Sequence, residues 1–407
     1  MPEKIAIVGG GAAGFFAAIT CAEANPANEV SIYERGPEFL TKVRISGGGR
    51  CNVTHACFEA RALSERYPRG KRALIPPLHR FSTSDTIAWF EERGVRLKTE
   101  GDGRMFPVTD SSQTVIDCLV NTAKAGGVRL FARKGVNTVD RQAQGFALEF
   151  ASGATAHCDR LLLATGGTRS NSGAQIARSL GHDLLPAVPS LFSFHASEKW
   201  LRALPGVSVT DVEASVPKTS LRERGPLLIT HQGVSGPVIL RLSAWGARLL
   251  HEVDYGFTLR LNWIPVLSEE EIQARLRSFR ESNPNRRVIN SPIAELPARL
   301  WEQVALAAGV DRETRWTNLS RENANRLTSQ LLRTEIAVTG KSLNKDEFVT
   351  CGGVKLDEVN FKTMQSRIVP GLYFAGEVLD IDGITGGFNF QSAWTTGWIA
   401  GKAMAAP

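Results

Sequence analysis

The segment that most constrains this chain is its beginning. Lys4-Ile5-Ala6-Ile7-Val8 is an apolar, β-branched run, followed at once by Gly9-Gly10-Gly11-Ala12-Ala13-Gly14 and then by the apolar Phe15-Phe16-Ala17-Ala18-Ile19. Strand, glycine turn and helix in that order match the Gly-x-Gly-x-x-Gly fingerprint of a dinucleotide-binding βαβ unit. Gly9 serves the tight turn, Gly11 lets backbone approach a pyrophosphate, and Gly14 lets the helix pack on the strand. A helix starting near Ala12 aims its free N–H groups and the positive end of its dipole at phosphate. A second strand, Glu29–Tyr33, ends in Glu34. A carboxylate there accepts hydrogen bonds from ribose hydroxyls and repels a 2′-phosphate. The pattern predicts a bound adenine dinucleotide without a 2′-phosphate, FAD or NAD.

With 407 residues the chain is expected to form two or three domains. No apolar run reaches the length of a transmembrane helix, and the N-terminal apolar stretch is already used as strand and helix rather than as a signal peptide. The expectation is a cytoplasmic protein without membrane contact. Six cysteines are scattered without a C-x-x-C pair or a zinc spacing, so they read as free thiols and no metal site is expected. The formal charge of +7 is concentrated outside the nucleotide motif. One group is Arg61, Arg66, Arg69, Lys71, Arg72 and Arg80; the other is Arg275, Arg277, Arg280, Arg286, Arg287 and Arg299. Each reads either as solvated surface or as contact with a polyanion.

Along the chain, helices are expected at Ser84–Gly94, with Ser84 as cap, and at Ser112–Ala125. A buried strand at 159–163 runs into the Ala164-Thr165-Gly166-Gly167 turn. Residues 190–265 carry strand signals broken by Gly and Pro, and the following stretch turns helical from Ser268-Glu269-Glu270-Glu271 onward. Gly371–Glu377 is again a buried strand ending in glycine, and the residues from Gln391 read as a terminal helix. The ends resemble each other and the middle differs. The predicted fold is α/β: a discontinuous Rossmann-like dinucleotide-binding domain of residues 1–190 and 350–407, a β-rich insert at 191–265 and a helical subdomain at 266–349.

Three further glycine segments favour FAD over NAD, one of them the Ala164–Gly167 turn, which places backbone beside the cofactor. In Lys42–Thr54 a run of Gly47, Gly48 and Gly49 lets backbone lie flat against a bulky ring, with Arg44 and Arg50 beside it to neutralise phosphate or a reduced flavin. Gly376–Gln391 leads straight into the terminal helix, whose N-terminus would stabilise negative charge on the flavin ring. No second Gly-x-Gly-x-x-Gly occurs, so NADH or NADPH is expected only as a transient electron donor visiting the substrate cleft.

The segments GGGAAG, RISGGGRCNVTH, GRMFP, ATGG, LLITHQGVSGP and GLYFAGEVLDIDGITGGFNFQSAW together resemble the BaiN/RdsA family of FAD-dependent flavoproteins, over nearly the whole chain. The resemblance implies a two-dinucleotide-binding-domain flavoprotein fold with a β-barrel-like and helical insert. It also implies FAD contacts at Gly9, Gly11, Ala13, Gly14, Glu34, Arg35, Arg44, Ser46, Gly48, Arg50, Asn52, Gly376, Asp382, Asn389 and Phe390. The loop Thr168–Gly173 is shorter than the family's serine-, glycine- and proline-rich loop. Members of the family are similar in hydride transfer from flavin N5 but differ in substrate: bile-acid-like enones, a uridine of large-subunit ribosomal RNA, or small amines.

The basic clusters favour ribosomal RNA, because a neutral sterol needs none of them whereas folded RNA needs its backbone neutralised. The expected reaction is reduction of uridine to dihydrouridine, on a base splayed out of its stack. Cys51 is the candidate proton donor, its thiol tuned by neighbouring guanidinium groups, or else a packing residue. His55 and His231 are further candidates for acid or for structural hydrogen bonding. Two alternatives stand beside this reading. One is a small-molecule flavin reductase or oxidase with an apolar pocket to which Phe192, Phe194, Trp200 and Trp245 contribute. The other is a non-catalytic, FAD-bearing RNA-binding factor.

Overall fold

A computed structural model describes residues 2–168, 172–342 and 349–406. The chain divides into two units, Met1–Ser190 with Lys345–Pro407, and Leu191–Asn344.

The first unit is organised by β1 (Lys4–Val8), α1 (Ala12–Ala24) and β2 (Glu29–Tyr33). With β3 (Arg129–Phe131), β4 (Arg160–Leu163) and β5 (Leu372–Phe374) they build a parallel sheet in the order β5-β4-β1-β2-β3. Two short antiparallel strands, Gln365–Ser366 and Val359–Asn360, extend it beyond β5. Ile5, Ala6, Ile7 and Val8 are all buried, as a strand covered on both faces requires. α1 is buried continuously from Ala13 to Ala22, and the terminal helix α2 (Phe388–Ala405) lies directly against it. Glycines make that contact close. A Cβ on Gly397 would stand 2.6 Å from the Ala13 carbonyl oxygen, and one on Gly401 2.5 Å from that of Ala17.

The second unit is a closed six-stranded barrel, ordered Ser193–Ala196, Gly233–Ser235, Arg222–Ile229, Ser208–Ser215, Phe257–Asn262 and Thr334–Ser342. Helices Pro237–Trp245, Glu269–Ser282, Ala298–Ala307 and Arg321–Arg333 share its core. Trp263 donates to Thr334 Oγ1 at 2.8 Å and Trp301 to the Val288 carbonyl at 2.7 Å, so their buried ring nitrogens are satisfied.

Several expectations need correcting. The segment 266–349 is not helical throughout, since Thr334–Ser342 closes the barrel with Thr334, Ile336 and Val338 facing inward. Phe192 and Phe194 are packed inside this unit's core, Trp200 packs against it and Trp245 is 39% exposed, so they do not jointly line an apolar pocket. The helix placed at Ser84–Gly94 spans Thr83–Glu91 and is capped by Ser82, whose N–H and hydroxyl both reach Asp85 at 2.7 Å. α2 begins three residues before Gln391. Of the short loop Thr168–Gly173, residues 169–171 lie outside the described residues. Among the described residues no helix is long and apolar enough to cross a membrane.

Candidate cofactor site

The glycine turn is shaped as the fingerprint demands. Gly9 has φ +113°, and a Cβ there would lie 2.3 Å from the Ala164 carbonyl oxygen at the end of β4. A Cβ on Gly14 would lie 2.0 Å from the Gly9 carbonyl oxygen, so any side chain would lift α1 off the turn. Gly11 differs. It is the N-cap of α1, no side chain caps the helix, and a Cβ there would meet nothing within 4 Å. The first-turn N–H groups of α1 therefore open onto space that only glycine leaves clear, a cradle that fits a pyrophosphate. Ala13 turns the other way: its Cβ lies 2.9 Å from where Gly376 would carry one, and Gly376 itself donates to Thr396 Oγ1 at 2.9 Å.

Glu34 ends β2 with its carboxylate fixed by two backbone donors, Gly10 N–H at 2.8 Å and Gly36 N–H at 2.7 Å. Two carboxylate oxygens offer about four acceptor positions, so capacity for ribose hydroxyls remains. Arg35 is exposed and lays its aliphatic stem over Gly135.

The segment Thr41–Gly49 starts as a helix and unwinds at Ser46, whose hydroxyl donates to the Val43 carbonyl at 3.0 Å. Gly48 and Gly49 are exposed, with open space where a Cβ would go. Arg44 donates to Gln113 at 2.8 Å and faces Glu38. Arg50 pairs with Glu100 at 2.6 Å and lies 4.0 Å over the Phe106 ring. Both guanidinium groups are thus held by protein partners. Cys51 is fully buried, and burial pushes its thiol up to about 12, with a Ser46 hydrogen bond opposing weakly. The expected tuning by neighbouring guanidinium groups does not occur, because Arg50 turns to Glu100 and burial dominates.

Asn52 joins this segment to α2: its amide nitrogen donates to the Thr54 carbonyl and its oxygen accepts from Gly387 N–H, both at 3.0 Å. α2 has no side-chain cap among the described residues, and its N-terminus is framed by Asn389, which exchanges hydrogen bonds with both backbone groups of Gly383 at 2.8 and 2.9 Å. Phe390 is half-buried and stacks on Trp394. His55 stacks on Phe388 with ring centroids 4.7 Å apart, and its Nε2 lies 3.1 Å from the Asp102 carbonyl. Burial, with repulsion from Arg66 and Arg104, lowers its pKa against the pull of Asp102. His231 belongs to the second unit, exposed on the turn before Gly233–Ser235.

Asp382 is placed unexpectedly. Its carboxylate is buried, forked by Arg69, and accepts from Ser190 Oγ at 2.7 Å. Burial raises its pKa, with Arg69 opposing. Two neighbours of Arg69 act alongside it. The Arg66 carbonyl accepts from Ile384 N–H at 2.9 Å, and the buried Tyr67 hydroxyl donates to the Phe388 carbonyl at 2.6 Å. Residues 66–69 are thereby fastened to the loop that leads into α2. Gln391, which lies in the last motif but was given no role there, accepts from Thr54 Oγ1 at 2.6 Å and Thr86 Oγ1 at 3.0 Å beneath that helix. A glutamine one turn inside a long apolar helix was the available signal.

Residues 3–403 match the family model described as the HI0933-like protein Rossmann domain. The chain is 32% identical to a ribosomal RNA dihydrouridine synthase of Escherichia coli, covering 98% of this chain and 97% of the relative. It is 28% identical to a 3-dehydro-bile acid delta(4,6)-reductase of Clostridium scindens, covering 99% of both. Among solved structures, the fold is similar to 3-ketosteroid delta1-dehydrogenase from Sterolibacterium denitrificans, with TM-score 0.52, 12% identity and 99% of each chain covered.

Proposed function

This chain belongs to the HI0933-like Rossmann-domain family of oxidoreductases, and we propose that it holds FAD in its first unit and reduces uridine to dihydrouridine in large-subunit ribosomal RNA. The N-terminus of α1 at Gly11 would take the pyrophosphate and Glu34 a ribose. The flat Gly48–Gly49 segment and the uncapped N-terminus of α2 would take the ring system. Bound there, FAD would supply hydride chemistry, with NADH or NADPH as the proposed transient donor. Asn52 and Asn389 hold the backbone around the α2 N-terminus, where the positive end of the helix favours negative charge.

One observation carries the choice of RNA. The basic segment Arg61–Arg80 is tied to the loop before α2 at Arg66, Tyr67 and Arg69, so cationic surface is built onto the cofactor site rather than scattered. Ribosomal RNA has a backbone for that surface to neutralise; a neutral steroid does not. The relative named as an RNA dihydrouridine synthase supports the same reading.

The test is anaerobic reduction of the purified yellow protein with each nicotinamide, followed by addition of ribosomal RNA from a strain lacking it. Re-oxidation of the flavin with formation of dihydrouridine, read by mass spectrometry, is expected. Turnover of a steroid enone but not of RNA, with little salt dependence, would move the protein to the small-molecule reading. Bound FAD that no nicotinamide reduces would leave a non-catalytic RNA-binding factor.

A further inference from the structure

Resting on the RNA reading above, we propose that Phe58, Arg66 and Arg72 form the seat for the single-stranded RNA flanking the reacting base. Phe58 is the stacking platform, and the two guanidinium groups take phosphates.

Phe58 leaves 56% of its surface exposed, although the first unit buries nearly all its large aromatics. It sits just before Glu59, whose carboxylate caps the short helix Ala60–Ser64 by accepting from Arg61 N–H at 3.1 Å and Ala62 N–H at 2.6 Å. The ring is therefore presented from a fixed turn.

Arg66 follows that helix and Arg72 lies in the first turn of the next, Lys71–Arg80. Both are exposed, and among the described residues neither guanidinium has an ion pair or hydrogen bond. Arg61 is likewise exposed without a side-chain partner among the described residues, but three neighbours are spent internally. Arg69 grips Asp382, Lys71 pairs with Glu65 and Arg80 donates to the Lys362 carbonyl. The second cluster divides in the same way: Arg275, Arg277 and Arg286 are exposed and, among the described residues, without a side-chain hydrogen bond or ion pair, while the rest are committed. There Arg280 donates to the Thr317 and Leu319 carbonyls, Arg287 pairs with Glu313 and Arg299 donates to the Ala203 carbonyl.

Position completes the argument. Arg66 is bonded through its carbonyl to Ile384 and is close enough to His55 to disfavour its protonation. Arg66 thus borders the loop that leads into α2, and Arg72 lies six residues further along the same segment. A base splayed out of a strand leaves neighbours that need a new stacking partner and phosphates that need a cation. An exposed aromatic and unpaired arginines on one short segment meet both needs without reading sequence.

The experiment is equilibrium binding of a fluorescent, uridine-rich single-stranded oligoribonucleotide to the FAD-loaded protein across a salt series. The proteins are wild type, Phe58→Ala, Arg66→Ala/Arg72→Ala and Arg275→Ala/Arg277→Ala, with flavin absorbance checking that each stays loaded. Phe58→Ala is expected to weaken binding about tenfold at every salt concentration, the scale of one lost stacking partner. The Arg66/Arg72 double variant is expected to flatten the slope of log K against log salt by about 1.4, two phosphates at about 0.7 each. The Arg275/Arg277 variant is expected to follow wild type. If wild type binds but the Phe58 and Arg66/Arg72 variants match it, this seat is wrong while the RNA reading stands. If wild type binds no RNA even at low salt, both fail.

Discussion

Arg69 forks the buried carboxylate of Asp382, across 313 residues of chain. Ser190 donates to the same carboxylate, so one buried anion gathers the basic segment, the loop before α2 and the end of strand Leu184–Ser190. Removing only the cation strands the charge. Arg69→Ala should cost about 3–5 kcal/mol, whereas an Arg69→Met/Asp382→Leu pair should cost much less. Thermal unfolding of the three proteins checks this. Equal losses in the single and double variants would mean that packing, not the ion pair, holds the loop.

Gly11 and Gly14 separate binding from folding within one motif. Gly11 has φ −94° and open space beyond its Cα, so Gly11→Ala should leave apoprotein stability within about 1 kcal/mol while lowering FAD affinity at least about tenfold. Gly14→Ala pushes a methyl against the Gly9 carbonyl and should destabilise by about 1–3 kcal/mol or more whether or not cofactor is present. Flavin titration beside denaturant unfolding of the apoproteins measures both. A Gly11→Ala variant that binds FAD like wild type would remove the α1 N-terminus from the site.

Those two glycines were legible in sequence because a local pattern specified them, and the same holds for β2 and for the helix Ser112–Ala125. Where two local signals competed, the reading slipped. Ser82 and Ser84 both precede an apolar run, and Asp85 decides for Ser82 because a capping box spans three residues. Thr334–Ser342 alternates inward and outward as a strand does, but follows directly on an amphipathic helix that masks the change of period. Arg69 read as one more surface cation, since nothing near it in sequence announces Asp382. Partners brought together by the fold alone leave no local trace, and that is where the anchoring of the loop before α2 was hidden.

Cys51 should prove dispensable for chemistry. Its thiol is fully buried and shifted up to about 12, and the nearest arginine in sequence, Arg50, is committed to Glu100. Cys51→Ala should keep the turnover rate and its pH profile, at a stability cost of about 1 kcal/mol for the lost sulfur. Steady-state rates from pH 6 to 9 check it. A drop of more than about tenfold in turnover, with FAD still bound, would restore the thiol as acid.

His182 should set part of the acid limit of stability. Its side chain is fully buried, with Nδ1 at 2.8 Å from Glu358 Oε2 and Nε2 at 2.9 Å from Ser366 Oγ. That hydroxyl already accepts from the N–H groups of Ile368 and Val369 at 3.0 and 2.8 Å, so it turns its own proton toward Nε2. The neutral ring, with its proton on Nδ1 facing Glu358, satisfies every partner; a second proton on Nε2 would find none. Burial accordingly lowers the pKa below 6.5, the Glu358 carboxylate opposing. The unfolded chain takes up a proton near pH 6.5 that the folded chain refuses, so stability is full above that pH. It falls as pH drops toward the folded value, by at most about 1.4 kcal/mol per pH unit. His55, lowered in the same direction, adds to the slope. Denaturant midpoints of wild type and His182→Gln between pH 5 and 7.5 should show a shallower slope in the variant. Parallel curves would show that His182 does not contribute to the acid limit.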